Sequence, residues 1–261
     1  MIATVEQFDD VSLMITHYNR SRSLERLLSE IKKANCSFNS IIVADDSSTA
    51  DHVAYIRSLQ DTYDFELLTG PVNKGLGNNL NKGQDAVKTP YTLYIQEDFI
   101  PLEGFAEKLK NGLSLLKERA DFDMVRFYAY SKYPYLKECR DGFSEMLFKW
   151  WYPGLDKFAY YSDHPHLRRS TFFEKFGRYK EGVSGDKTEF SMMMSFLRNK
   201  GKAFFYEQHK SALEQVNSES EPSTMTGTRD KWRNSEGFFI RNLRTVYRYL
   251  NCYSALYLRK I

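Results

Sequence analysis

No apolar run in the 261 residues approaches the ~18 needed to cross a bilayer, so no segment reads as membrane-spanning. The opening stretch, Met1 to Asp10, carries acids where an export signal needs basic and then apolar residues. Cysteine is scarce: Cys36, Cys139 and Cys252 are odd in number, far apart and without metal-ligand spacing. That argues against a disulfide framework or a thiolate metal site, and the expectation is a cytoplasmic protein with reduced thiols. A Gly fingerprint after the first strand is also missing. Gly75-Leu76-Gly77 follows the third strand and lacks a closing glycine, which speaks against a dinucleotide dehydrogenase. The sequence has no internal repeats and no long low-complexity tracts.

What is present suits one α/β domain. Hydrophobic residues make up 42% and charged residues 27%, an ordinary balance for a folded globular chain. Aromatics are richer, at 15%, and serve either a ring-lined cleft or core packing. The net charge of +3 is unevenly placed: residues 231–261 hold seven Lys and Arg against Glu236 alone, so the rest of the chain is mildly acidic. An acidic body is a poor nucleic-acid binder.

Strand and helix periods alternate through the first ~130 residues. Val11 to Ile15, Ile41 to Ala44, Phe65 to Leu68, Tyr91 to Ile95 and Met124 to Tyr128 read as buried strands. Between them, Leu24, Leu27, Leu28 and Ile31 mark one face of a helix capped by Ser21 or Ser23. Helices are further expected over Asp51 to Gln60, Leu76 to Val87 and Leu102 to Glu118. Such alternation implies right-handed crossovers and a mostly parallel sheet flanked by helices. The stretch Lys132 to Tyr161 is expected to form an irregular aromatic-rich part. A helix follows at Asp186 to Asn199, a strand at Ala203 to Tyr206 and a loop at Asn217 to Thr228. The resulting division is a single domain over 1–230, in two halves that meet at about residue 130. A basic amphipathic helical extension covers 231–261.

Ligands of such sheets bind at the carboxyl ends of the strands. Those ends offer Thr16-His17-Tyr18-Asn19-Arg20, Asp45-Asp46, Asn73 to Asn79, and Glu97-Asp98. Adjacent carboxylates in a cleft need a cation, and their hard oxygens suit Mg²⁺ or Mn²⁺. Asp45-Asp46 capping a helix and Glu97-Asp98 forming a solvated turn are the plainer readings of each pair alone.

Together these segments resemble family 2 glycosyltransferases of the GT-A fold. VSLMITHYNRSRSLERLL is similar to that family's opening strand, T-x-Y-N-R and helix. IIVADDSST resembles its second-strand signature, and NKGLGNNLNKGQDAVKTPYTLYIQED resembles the run into its acidic metal motif. The likeness covers roughly residues 11 to 101. It implies a GT-A-like Rossmann-type fold and a nucleotide-sugar donor, UDP favoured. Thr16, Tyr18, Asn19, Arg20, Asp46, Lys74, Asn79 and Glu97 would surround the donor, and Asp98 would be the principal ligand of Mn²⁺ or Mg²⁺. Gln96-Glu97-Asp98 departs from the family's usual pair of aspartates. His209, after the Ala203 to Tyr206 strand, is a further candidate metal ligand.

An inverting transfer also needs a general base. Gly182 to Phe190 resembles the family's base segment, with Glu189 aligning best and Asp186 the alternative. An Asp186 that caps the helix and a Glu189 that favours its positive end would look the same in sequence. Trp150, Trp151 and Tyr152 offer ring faces to an acceptor sugar, and His166 and Arg168 offer acceptor or phosphate contacts. In the tail, Phe239, Leu243, Val246, Leu250, Tyr253 and Tyr257 fall on one helical face, with Arg241, Arg244, Arg248 and Arg259 opposite. That stripe either packs on the domain or lies on an anionic membrane at the inner face of the cell. The expected activity is sugar transfer to a glycan or lipid-linked acceptor. A degenerate nucleotide- or glycan-binding protein is the alternative.

Overall fold

A computed structural model of the chain describes residues 5–217, 221 and 238–258, with side chains from 244 onward in the last segment. Most of the loop expected over Asn217 to Thr228 lies outside the described residues, as do Lys231, Arg233, Arg259, Lys260 and the side chains of Phe239, Arg241 and Leu243.

The centre of the molecule is β1 (Glu6–His17), whose run Val11–His17 is wholly buried. It pairs in parallel with β2 (Cys36–Asp45) on one side and β4 (Tyr91–Gln96) on the other, and β3 (Glu66–Leu68) extends the sheet beyond β2. Register fixes what meets at the strand ends: Thr16 lies opposite Ala44 and Gln96, and His17 opposite Asp45. Four polar loops are thereby gathered at one edge.

Beyond β4 the order continues through β9 (His166–Arg169), β6 (Met124–Arg126), β10 (Ala203–Tyr206), β8 (Phe143–Met146) and β7 (Leu136–Glu138), making nine strands. β9 runs against both β4 and β6, and β8 runs against β10 and β7. The other seven strands therefore point the same way. The stretch read as irregular does contain the β7–β8 hairpin, which joins the main sheet. A separate two-stranded ladder pairs β5 (Phe99–Pro101) with β11 (Leu213–Gln215).

Alternation along the strands builds a core on each face. Leu13, Ile15, Leu93, Ile95 and Val125 face α1 (Ser21–Lys33), α2 (Ala50–Leu59) and α4 (Phe105–Glu118). Met14, Tyr94, Met124 and Phe205 face α3 (Leu76–Ala86), α5 (Phe172–Phe176), α6 (Gly185–Arg198) and α7 (Phe238–Tyr257). Leu24, Leu27, Leu28 and Ile31 are all buried, as the spacing required. Each such side chain stabilises the fold by roughly 1.5–3 kcal/mol.

Two local features differ from expectation. Ser21 and Ser23 do not cap α1 with their own side chains. Instead the carboxylate of Glu221, nearly 200 residues away, accepts the N–H groups of Arg22 and Ser23 at 2.9 and 2.8 Å. α7 does pack on the domain, burying Cys252, Ala255 and Leu256 and seating, of the described side chains in the expected stripe, Tyr253. Val246, Leu250 and Tyr257 point outward at 54, 65 and 61% exposure. The reason is anchoring: Arg198 binds the carbonyls of Ala255 and Leu256, and Lys157 binds the Tyr253 hydroxyl, so the helix is turned toward α6.

Candidate functional site

A cavity of about 620 Å³ lies where the strand ends converge. Thr16, Tyr18, Arg20, Asp46, Asn79, Glu97 and Asp98 line it from the first four strands, and Asp186 and Glu189 from α6. Nine expected residues thus meet in one place, although they are scattered over more than 170 positions.

Local chemistry explains how the floor is held. Asp45 is fully buried and accepts from His17 Nδ1, from Ser48 and from Thr69. Burial opposes its charge, but these hydrogen bonds outweigh burial and hold the carboxyl well below the usual carboxylate range. His17 Nε2 accepts the N–H of Arg20, so its proton sits on Nδ1. The first aspartate of the pair is therefore structural. The second, Asp46, lines the cavity while its two oxygens take the N–H groups of Lys74 and Gly75 at 2.9 and 2.8 Å.

The acidic pair is more exposed to conflict. Arg20 Nη1 lies 3.4 Å from Glu97 Oε1 and 3.2 Å from Asp98 Oδ2, and Gln215 also donates to Asp98 Oδ2. Burial, then the charge of Asp98, pushes the Glu97 carboxyl up to about 8 against the pull of Arg20. Six acidic side chains and one guanidinium line the cavity, so acids outnumber bases there. Glu97 and Asp98 both approach Arg20 Nη1, and as a donor set two carboxylates with phosphate oxygens and water would suit Mg²⁺ or Mn²⁺. Among the described residues there is no cluster of three or more His, Cys, Asp and Glu arranged for a metal.

A second cavity of about 450 Å³ adjoins the first. Tyr130, His164, Asp186 and Glu189 line both, which puts Glu189 at the shared wall. Arg126, Tyr133, Phe190 and Arg248 add two guanidinium groups and two rings. Glu189 Oε1 accepts the backbone N–H of Asp163 at 3.1 Å. Asp186 stands exposed in the first turn of α6, where Ser184 occupies the cap position.

Other expected residues do not reach either cavity. Asn19 adopts a positive φ of 52°, and its side chain and N–H tie the first loop to Thr49 and Ser48. The Lys74 side chain is exposed away from the cavity wall. His209 sits beyond β10, its Nδ1 on the Glu207 carbonyl. Trp150 and Trp151 are 56 and 61% exposed because the buried Lys157 ammonium gathers the carbonyls of Trp150 and Tyr152 inward and leaves the indoles outside. Tyr152 stacks on Tyr135. His166 and Arg168 are fully buried within β9, where Arg168 clamps Gln84 and Tyr179.

Asp163, Tyr130, Gln215 and Arg126 were not signalled. Asp163 sits just ahead of β9, a strand hidden in the sequence because its inward residues are His166 and Arg168. No apolar alternation marks His-Leu-Arg-Arg as a strand.

Known proteins resemble the chain at three levels. A poly-beta-1,6-N-acetyl-D-glucosamine synthase of Staphylococcus epidermidis is 24% identical over 115 residues, which is 41% of this chain and 28% of that protein. The synthase of Staphylococcus aureus matches at 24% over 96 residues, 23% of its length. The chain thus aligns with about a quarter of these curated relatives. Among solved structures, S. aureus TarS 1–349 with UDP-GlcNAc superimposes with a TM-score of 0.60 at 13% identity, covering 94% of this chain and 73% of that one. The same protein with UDP gives 0.57 at 14%, covering 80% and 61%. The likeness in fold extends over the whole sheet just described. The family model "Glycosyl transferase family 2" matches residues 12–185, from β1 to the start of α6, and the chain belongs to that family.

Proposed function

We propose that this glycosyltransferase takes a sugar from a nucleoside-diphosphate sugar, UDP-linked in the first instance, and inverts its anomeric centre in one displacement. The observation that carries this reading is the shared wall: Glu189 faces both cavities, so a donor in the first and an acceptor in the second would meet beside a carboxylate. The acceptor hydroxyl gives its proton to Glu189, its oxygen bonds to the anomeric carbon, and the bond to the diphosphate oxygen breaks. Asp186 is the alternative base. TarS, solved with UDP and with UDP-GlcNAc, supports the choice of uridine.

Asp98 and Glu97 would hold Mn²⁺ or Mg²⁺, which supplies charge neutralisation at the diphosphate. Thr16, Tyr18, Asp46 and Asn79 surround the nucleotide, and Arg20 stands beside the acids. The acceptor is a glycan or lipid-linked sugar lodged among Tyr130, Tyr133 and Phe190. Peripheral contact with an anionic membrane accompanies this reading, supported by the exposed apolar face of α7 and the basic tail.

The test is UDP binding and sugar transfer in the wild type, Asp98→Ala and Glu189→Gln. Glu189→Gln is expected to bind UDP normally while kcat falls by about 10²–10⁴. Normal turnover in Glu189→Gln would remove it as the base. UDP binding that ignores both Mn²⁺ and Asp98→Ala would remove the metal.

A further inference from the structure

Eight buried side-chain nitrogen or oxygen atoms among the described residues lack a hydrogen-bond partner. Five belong to residues lining the two cavities: Arg20 Nε, Asn79 Oδ1, Arg126 Nε, Asp163 Oδ2 and His164 Nδ1. Leaving such a group unpaired costs about 1–3 kcal/mol, so natural interiors rarely tolerate it without use. Their gathering at the cavities points to ligand atoms as the missing partners.

Asp163 stands out among them. It is 4% exposed, and Tyr161 donates to its Oδ1 at 2.8 Å. Tyr161 is hydrogen-bonded to Tyr179 at 2.5 Å, and Arg168 donates to Tyr179, so a buried chain runs from the Arg168 guanidinium to this carboxyl. One oxygen is fixed by that chain, and the other has no partner. Its backbone N–H holds Glu189, which places Asp163 beside the base and away from the nucleotide end at Asp46 and Asn79. His164, the next residue, lines both cavities and packs its ring against Tyr130 at 4.6 Å.

Resting on the donor reading above, we propose that Asp163 is a specificity-determining residue whose Oδ2 hydrogen-bonds a hydroxyl or amide of the sugar being transferred, with His164 beside it. The two ends of the donor are then read separately. Asp46 and its neighbours read the nucleoside, and the Arg168-anchored carboxyl reads the sugar. Burial, then the charge of Glu189, holds the Asp163 carboxyl up to about 8, so at pH 7 it carries a proton and can donate. Around it stand Glu189, Arg168, Tyr94, Tyr161 and Tyr179. Burial keeps the three tyrosines protonated well beyond pH 9.

The experiment compares the Kd of UDP with that of UDP-GlcNAc, UDP-GalNAc and UDP-glucose, by calorimetry with Mn²⁺, in wild type, Asp163→Ala and Asp163→Asn. In Asp163→Ala the UDP affinity is expected to stay within twofold. The preference for the best UDP-sugar over UDP falls roughly tenfold. Asp163→Asn, which can still donate, keeps that preference at pH 7 and also at pH 9, where the wild type loses part of its own. An unchanged preference in Asp163→Ala, or a UDP affinity lost in proportion, would overturn the assignment. If the alanine variant does not fold, matching pH dependence in wild type and Asp163→Asn overturns it equally. Failure of the wild type to bind UDP at all would instead strike the donor reading itself.

Discussion

His166 is shut inside β9, between the rings of Tyr94 and Tyr161, with its Nδ1 donating to the His164 carbonyl at 2.7 Å. Burial, and then the Arg168 charge, depresses its pKa well below the usual histidine value. The sign of the linkage follows. Below pH ~6.5 the unfolded chain binds a proton that the folded chain refuses, so this residue makes stability fall as pH falls. His166→Gln removes that penalty. Its stability relative to the wild type is expected to rise by about 1.4 kcal/mol per pH unit between pH 6.5 and 5. Urea denaturation at matched pH values checks this, and a constant difference would show that His166 charges freely in the fold. At this scale the residues legible in sequence were those a strand end forces into the cleft: Thr16, Tyr18, Asp46, Asn79, Glu97 and Asp98. Asn19 and Lys74 sit in the same loops but spend their polar groups or their backbone on bracing them. The sequence cannot separate those two uses, because both require polar residues after a strand.

Among the elements, α3 is tied to the loop before α6 through Asn78, Asn81 and a close approach at Gly77. A Cβ on Gly77 would stand 2.2 Å from the Lys180 carbonyl oxygen, with no flexible side chain to yield. Gly77 therefore serves close packing. Gly77→Ala is expected to destabilise by about 1–3 kcal/mol, the range for overpacking, and to weaken UDP binding by shifting Asn79 on the same helix. Chemical denaturation and calorimetry together test it, and a variant with wild-type stability would mean that the loop moves freely. The first four strands and their helices were legible because period and length agreed there. β5, β9 and β11 were not, since Pro101 closes β5, His166 and Arg168 fill β9 and Glu214 and Gln215 fill most of β11, so no strand pattern shows, and their partners lie far along the chain. The cap of α1 was missed for the same reason, since Glu221 is remote in sequence.

At the scale of the molecule, charge and apolar exposure gather on α7. Val246, Tyr247, Leu250, Tyr257 and Leu258 are all more than half exposed, on a helix whose surrounding segment is strongly basic. Two copies joined by this face would bring like charges together, whereas an anionic bilayer would attract them. The expected outcome is binding to phosphatidylglycerol vesicles but not to phosphatidylcholine, weakened by salt and by Leu250→Asp. Sedimentation with vesicles measures it, and binding that Leu250→Asp leaves intact would acquit the helix. No described helix is long and apolar enough to cross a membrane. α7 also supplies Arg248 to the second cavity, so whatever holds the helix stands next to that cavity.

β9 arrives late in the chain yet lies between β4 and β6. The two halves of the sheet therefore cannot be exchanged between homologues as two consecutive blocks. A chimera spliced near residue 130 would pair β4 of one parent with β9 of the other and part Arg168 from Gln84. A junction in the short span between Lys180 and Gly185 keeps β4, β9, Arg168, Tyr179 and Asp163 in one parent, together with the contact at Gly77. A graft from α6 onward keeps the strand ends of β1, β2 and β4 in one parent, and Gln215 must then be matched to Asp98 and Glu221 to the start of α1.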